Sequence, residues 1–157
     1  MEAVVLGIAL FNLGLGGALE AEEVAERDFK AYMHIGGQIN VSDASMGGGS
    51  LVYKNKLDLT VTYISEGETK WGDHDSIRVV SISRIVTPGW FGDTLFLGVG
   101  YANVQETPLV GEHNIHLMIG GQWGWGRIYY SHISDFDIGT NDNTGLDGLH
   151  VSFDLSF

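Results

Sequence analysis

Residues 146–157 read "LDGLHVSFDLSF" and split cleanly with period two. Asp147, Leu149, Val151, Phe153, Leu155 and Phe157 fall on one side; Gly148, His150, Ser152, Asp154 and Ser156 fall on the other. Successive side chains of a β-strand point to opposite faces, so this run is a strand with one apolar face and one small or polar face.

The same split recurs upstream. In 30–41, Ala31, Met33, Ile35, Ile39 and Val41 oppose Lys30, Tyr32, His34, Gln38 and Asn40. In 50–64, Leu51, Tyr53, Leu57, Leu59, Val61 and Tyr63 oppose Ser50, Lys54, Lys56, Asp58, Thr60 and Thr62. In 113–123, Ile115, Leu117, Ile119 and Trp123 oppose Asn114, His116, Gly120 and Gln122. Residues 126–135 alternate as well, and 76–87 and 93–106 are β-rich with a less regular split. The stretches "EGETKWGDHD", "TPGWFGD", "ETPLVGEH" and "GWG" carry the turn signals between them. No helical repeat and no linker interrupts this single domain of residues 1–157.

Small and polar residues, many of them Gly, line the second face of strand after strand. That is the pattern of a barrel turned inside out, apolar toward lipid and polar toward the lumen. Runs of this length exceed the usual five or six residues and suit a tilted bilayer crossing. Trp71, Trp90, Trp123 and Trp125 fall at strand ends or turns, where an aromatic girdle would place them. The fold expected is all-β: an eight-stranded antiparallel up-and-down transmembrane β-barrel. A soluble lipocalin-like barrel is the alternative. Seven strands are evident from residue 30 onward. The eighth is either 3–16, as a Gly-rich first strand, or 46–54, if 50–64 breaks at Asn55. The unbroken alternation through 50–64 favours 3–16. Residues 1–18 also read as a signal-like segment with cleavage after Ala18, although no Lys or Arg precedes the apolar run.

Bulk properties narrow the function. Charged residues make up 18% of the chain, below the roughly 25% of a soluble domain. The net charge of −12 opposes nucleic-acid binding, which needs clustered Lys and Arg. Cysteine is absent, which excludes disulfides, thiolate zinc sites and cysteine nucleophiles.

One constellation carries chemistry. On 126–135, Ile128, Tyr130, His132 and Ser134 share a face, with His132 and Ser134 about 7 Å apart along the strand. If 126–135 and 146–157 pair as a hairpin, Asp147 meets them at one rim, pointing outward. Serine is a weak nucleophile until a histidine takes its proton, and a carboxylate orients the histidine.

The sequence "SHIS", then "TNDNTGLDGLHVSFDLSF", resembles the C-terminal signature of the lipid A 3-O-deacylases, the acyloxyacyl-hydrolase-like barrels of the bacterial outer membrane. Their signature runs His-x-Ser-Asn, an Asn- and Gly-containing loop, Glu or Asp, then a terminal strand; the final Phe157 also resembles the end of such barrels. The resemblance covers the C-terminal part of the chain, and the rest agrees in strand count and amphipathic pattern. It implies a serine esterase of the bacterial-type outer membrane that removes an ester-linked acyl chain from lipid A or a related glycolipid. Its partners would be lipopolysaccharide acyl chains and membrane lipid, and it would need no cofactor. His132 would be the base, Ser134 the nucleophile and Asp147 the orienting acid. The departure lies in Asp135 and Asp137, in the oxyanion region where the family has Asn and small residues. A carboxylate beside a developing oxyanion repels it, and loss of one donor there costs about 10²–10³ in rate. The alternative is an inactive outer-membrane barrel of the same ancestry with a structural or surface-binding role.

Other candidates are weaker. The stretch "SDFDIGTNDN" is oxygen-rich but lacks EF-hand spacing. Asp73, His74 and Asp75, and the pair His113 and His116, lack a full ligand set, so no metal is expected. "GGG" at 47–49 reads as a loop with no helix after it, and so not a phosphate loop.

Overall fold

The computed structural model describes residues 28–39, 44–69, 72–105, 110–136 and 145–155. Eight strands close into one antiparallel barrel: β1 (Phe29–Gln38), β2 (Ser45–Tyr53), β3 (Leu57–Ile64), β4 (Ile77–Val86), β5 (Leu95–Val104), β6 (His113–Trp123), β7 (Gly126–Asp135) and β8 (Leu146–Asp154). Each strand pairs with its sequence neighbours, and β1 pairs with β8 to shut the cylinder. Closure leaves no unpaired sheet edge. Short strands Gly67–Thr69 and Gly72–His74 form a two-stranded flap within one loop, and Trp90–Asp93 forms another short strand in a turn.

The eighth strand is Ser45–Tyr53, and this corrects the preference for 3–16. Residues 1–18 lie outside the described residues, and the barrel closes without them. The break falls at residues 54–56. Lys54 and Asn55 both take positive φ, 49° and 54°, and the Lys56 N–H donates to the Tyr53 carbonyl at 2.9 Å. Two consecutive left-handed residues make the tight turn that suits twisted strands. Tyr53 pairs with Leu57 across it. Four positions separate them, so both face the same way and the alternation passes through the turn intact. That is why period alone could not see it.

The "GGG" at 47–49 is likewise strand and not loop, inside β2. Gly48 faces inward, where a Cβ would stand 2.0 Å from the Val61 carbonyl oxygen and 2.9 Å from His34 Nε2. Only glycine lets β2 approach so closely.

The faces divide as the alternation predicts. Ile35 (57% exposed), Val99 (53%) and Leu149 (51%) stand outside, with Leu59, Ile82 and Ile119 continuing the band around the cylinder. Inside are Asp58 (2%), Asn114 (0%) and Ser152 (0%), together with His34, His116 and His150. A water-soluble barrel would bury the first set and wet the second. Aromatic rings gather outside near the short turns: Phe29 on Tyr53 at 4.8 Å, Trp123 stacked on Trp125 at 5.8 Å, and Trp125 against Phe153 at 6.1 Å. Trp90 is exposed at the same end. At the long-loop end Tyr101 stacks on Phe136 with centroids 6.5 Å apart. Trp71 lies outside the described residues.

An eight-stranded cylinder is just wide enough for side chains to fill. Toward the long loops an apolar cluster including Met46, Ile64, Ile77, Val104, Ile133 and Leu146 fills it. Toward the short turns a buried ion pair does. Arg127 Nη1 donates to Asp58 Oδ2 at 2.7 Å, and Nη2 donates to Ser50 Oγ at 2.9 Å. The Thr60 hydroxyl donates to the other Asp58 oxygen. The guanidinium stacks over the Tyr32 ring at 4.2 Å, with Phe96 and Tyr129 flanking. A charge taken out of water is tolerable only when it is paired and hydrogen-bonded in this way.

Candidate active site

Strands β7 and β8 form the hairpin that sequence pairing suggested, in a register that sets His132 directly opposite Asp147. Residues so placed on antiparallel strands have Cβ atoms about 4.5–5.5 Å apart, close enough for short side chains to meet. His132 Nδ1 lies 2.8 Å from Asp147 Oδ1. A carboxylate only accepts, so Nδ1 carries a proton, and in the neutral imidazole the lone pair is then on Nε2. Both side chains face outward near the long-loop rim, 32% and 14% exposed. Ser134 follows two positions along β7 on the same outer face, in register with Ile115 and, beyond it, Tyr101. Among the described residues His132 is bonded to Asp147 and not to Ser134.

A third side chain joins. The Tyr130 hydroxyl donates to the same Asp147 oxygen that His132 uses. Tyr130 pairs with Leu149, which places it diagonally from Asp147, within reach of a long aromatic side chain. Its place on the His132 face was legible in the alternation, but nothing in the spacing marked its hydroxyl as a partner of the acid.

Asp135 does not crowd Ser134. It has the inward parity of Ser131 and Ile133, and a Cβ built on Gly111 would stand 2.6 Å from its Oδ2. The strand's alternation thus turns this carboxylate to the face opposite Ser134. Pairing between β7 and β8 ends at Ile133 and Leu146, one residue short of Ser134, while pairing with β6 runs on to Asp135. Asp137 lies outside the described residues.

Gly145 leads into β8 with φ +69°, and a Cβ there would stand 2.8 Å from His132 Cε1. Gly145→Ala would both strain the backbone and push the imidazole off Asp147. We expect it to lower the unfolding free energy by about 1 kcal/mol and to disturb the His132–Asp147 hydrogen bond. Urea unfolding and the downfield His N–H resonance in proton NMR report the two effects separately.

Serine–histidine contacts also occur inside the barrel, which spacing did not flag. Ser131 Oγ lies 2.8 Å from His150 Nε2, and Ser83 Oγ lies 3.0 Å from His116 Nδ1. All four residues are buried in the lumen, where they satisfy one another's hydrogen bonding. His74 faces inward with Nδ1 2.8 Å from the Asp75 carbonyl, and His113 faces outward with Nδ1 2.5 Å from the Tyr101 hydroxyl. Among the described residues no group of three or more His, Asp or Glu side chains is arranged to hold a metal ion.

Fold and site together define a closed eight-stranded antiparallel barrel with a His–Asp pair, and a serine beside it, on its outer wall. Compared with protein-family models, with curated proteins and with solved structures, the chain finds no match.

Proposed function

We propose that this barrel is an outer-membrane serine esterase acting on an ester-linked acyl chain of lipid A or a related glycolipid. The observation that carries the reading is the 2.8 Å contact between His132 and Asp147 on the apolar outer wall, with Ser134 one outward position further along. A polar pair costs free energy on a lipid-facing surface. The outward band of Ile35, Leu59, Ile82 and Leu149 supports a bilayer as the surroundings, since so continuous an apolar exterior is far larger than a soluble monomer shows.

A substrate would arrive sideways from the membrane. Ser134 Oγ attacks the acyl carbonyl carbon while His132 Nε2 takes its proton, and Asp147 stabilises the imidazolium that forms. The ester C–O bond then breaks, and His132 returns the proton to the departing glycolipid oxygen. Water attacks the acyl-Ser134 ester, again losing a proton to Nε2. The fatty acid leaves and Ser134 regains its hydrogen. Catalytic hydrogen bonds are commonly loose in unliganded enzymes and tighten on substrate, so rotation of the Ser134 side chain is part of the cycle. The test is purified, refolded barrel mixed with lipopolysaccharide in detergent micelles, followed by titration of released fatty acid. Steady release above the protein-free rate is expected, and no release by a folded barrel overturns the reading.

The absent bond between Ser134 and His132 favours a second reading, an inactive barrel of the same ancestry with a structural or surface-binding role. The same assay separates the two.

A further inference from the structure

We propose that Tyr130 is a positioning residue of this site, holding the Asp147 carboxylate where His132 needs it. The inference rests on the esterase reading and extends it by one side chain.

An aspartate is one methylene shorter than a glutamate, so its carboxylate reaches an imidazole only from a narrow set of torsions. Strand register brings His132 opposite, and a second donor on the same oxygen restrains the carboxylate more than that contact does by itself. The Tyr130 hydroxyl, arriving diagonally from the same strand as His132, donates to the same Oδ1 that accepts from His132 Nδ1. Two donors on one oxygen, both from the same strand, restrain that oxygen at the imidazole. The tautomer follows, because Nδ1–H stays on Asp147 and the base role falls to Nε2. Tyr130 touches neither the ester nor the water, so its effect on rate passes through Asp147.

An outward tyrosine near a membrane surface has an ordinary role as an interface anchor, its ring in the apolar region and its hydroxyl in water. That role needs no carboxylate partner, and Phe would cost it little in catalysis. The two roles therefore separate on the hydroxyl alone.

The experiment measures kcat and KM for fatty-acid release from lipopolysaccharide by wild type, Tyr130→Phe, Asp147→Asn and the double variant. Each rate is normalised to the folded fraction, read from the faster electrophoretic migration of the unboiled barrel. Tyr130→Phe should lower kcat about tenfold with KM unchanged, the size expected for one hydrogen bond to a charged group. In the Asp147→Asn background the same substitution should change nothing further. Tyr130→His, which restores a donor on a shorter ring, should recover part of the loss. A Tyr130→Phe enzyme with wild-type kcat, or a tenfold loss that persists undiminished on Asp147→Asn, overturns the positioning role and leaves the esterase reading standing. A folded wild type without activity overturns both.

Discussion

Replacing Ser134 or His132 by alanine is expected to abolish fatty-acid release, with kcat falling on the order of 10⁴-fold or more in each case. A nucleophile and its base act as one unit, so the double variant should be no slower than either single one. Ser131→Ala supplies the contrast. It is the neighbouring serine, but it points into the lumen, bonded to His150. Loss of that hydroxyl would leave the outer wall intact, and its activity should stay within a few-fold of wild type. Equal losses from Ser131→Ala and Ser134→Ala would mean that the outward face is not where the chemistry occurs.

The largest stability effect is expected in the lumen. Arg127→Met strands the Asp58 carboxylate in a site 2% exposed, and removing one partner of a buried pair costs about 3–5 kcal/mol. Adding Asp58→Leu removes the stranded charge and should recover most of the loss, since an apolar replacement of a whole buried pair is often neutral. Urea unfolding of the barrel in lipid vesicles, followed by tryptophan fluorescence, measures both. A single variant as stable as wild type would show that the pair is hydrated in the folded state. A double variant no better than the single would show that the arginine's contacts with Ser50 and the Tyr32 ring stabilise the barrel independently of Asp58.

The barrel was legible because each strand repeats one statement: Leu59 out and Thr60 in, Leu149 out and His150 in. What the alternation could not locate was the turn at Lys54 and Asn55, because a link of three residues returns the chain to the same parity. Lys54 in a left-handed conformation gives no sequence signal, and Asn55 gives only a faint one. The triglycine shared that fate: its composition reads as loop, and the closeness of His34 and Val61 explains why the strand needs glycine at its middle position, Gly48. At the site, parity sufficed to place His132, Ser134 and Asp147 on one outer face. The diagonal reach of Tyr130 and the close approach of Gly145 are properties of register, which emerges only when two strands are paired. Asp135 shows the converse. Its adjacency to Ser134 in sequence suggested interference, yet one step along a strand is a change of side.

The most direct measurement is covalent capture of the nucleophile. A lipid-like fluorophosphonate reacts with an activated serine, its phosphorus bonding to Oγ as fluoride leaves, and mass spectrometry of the digested barrel locates the adduct. The outward site predicts a single adduct on Ser134, lost in His132→Ala and diminished in Asp147→Asn. An unlabelled barrel that is demonstrably folded, or an adduct on Ser131 or Ser83 in the lumen, would contradict it.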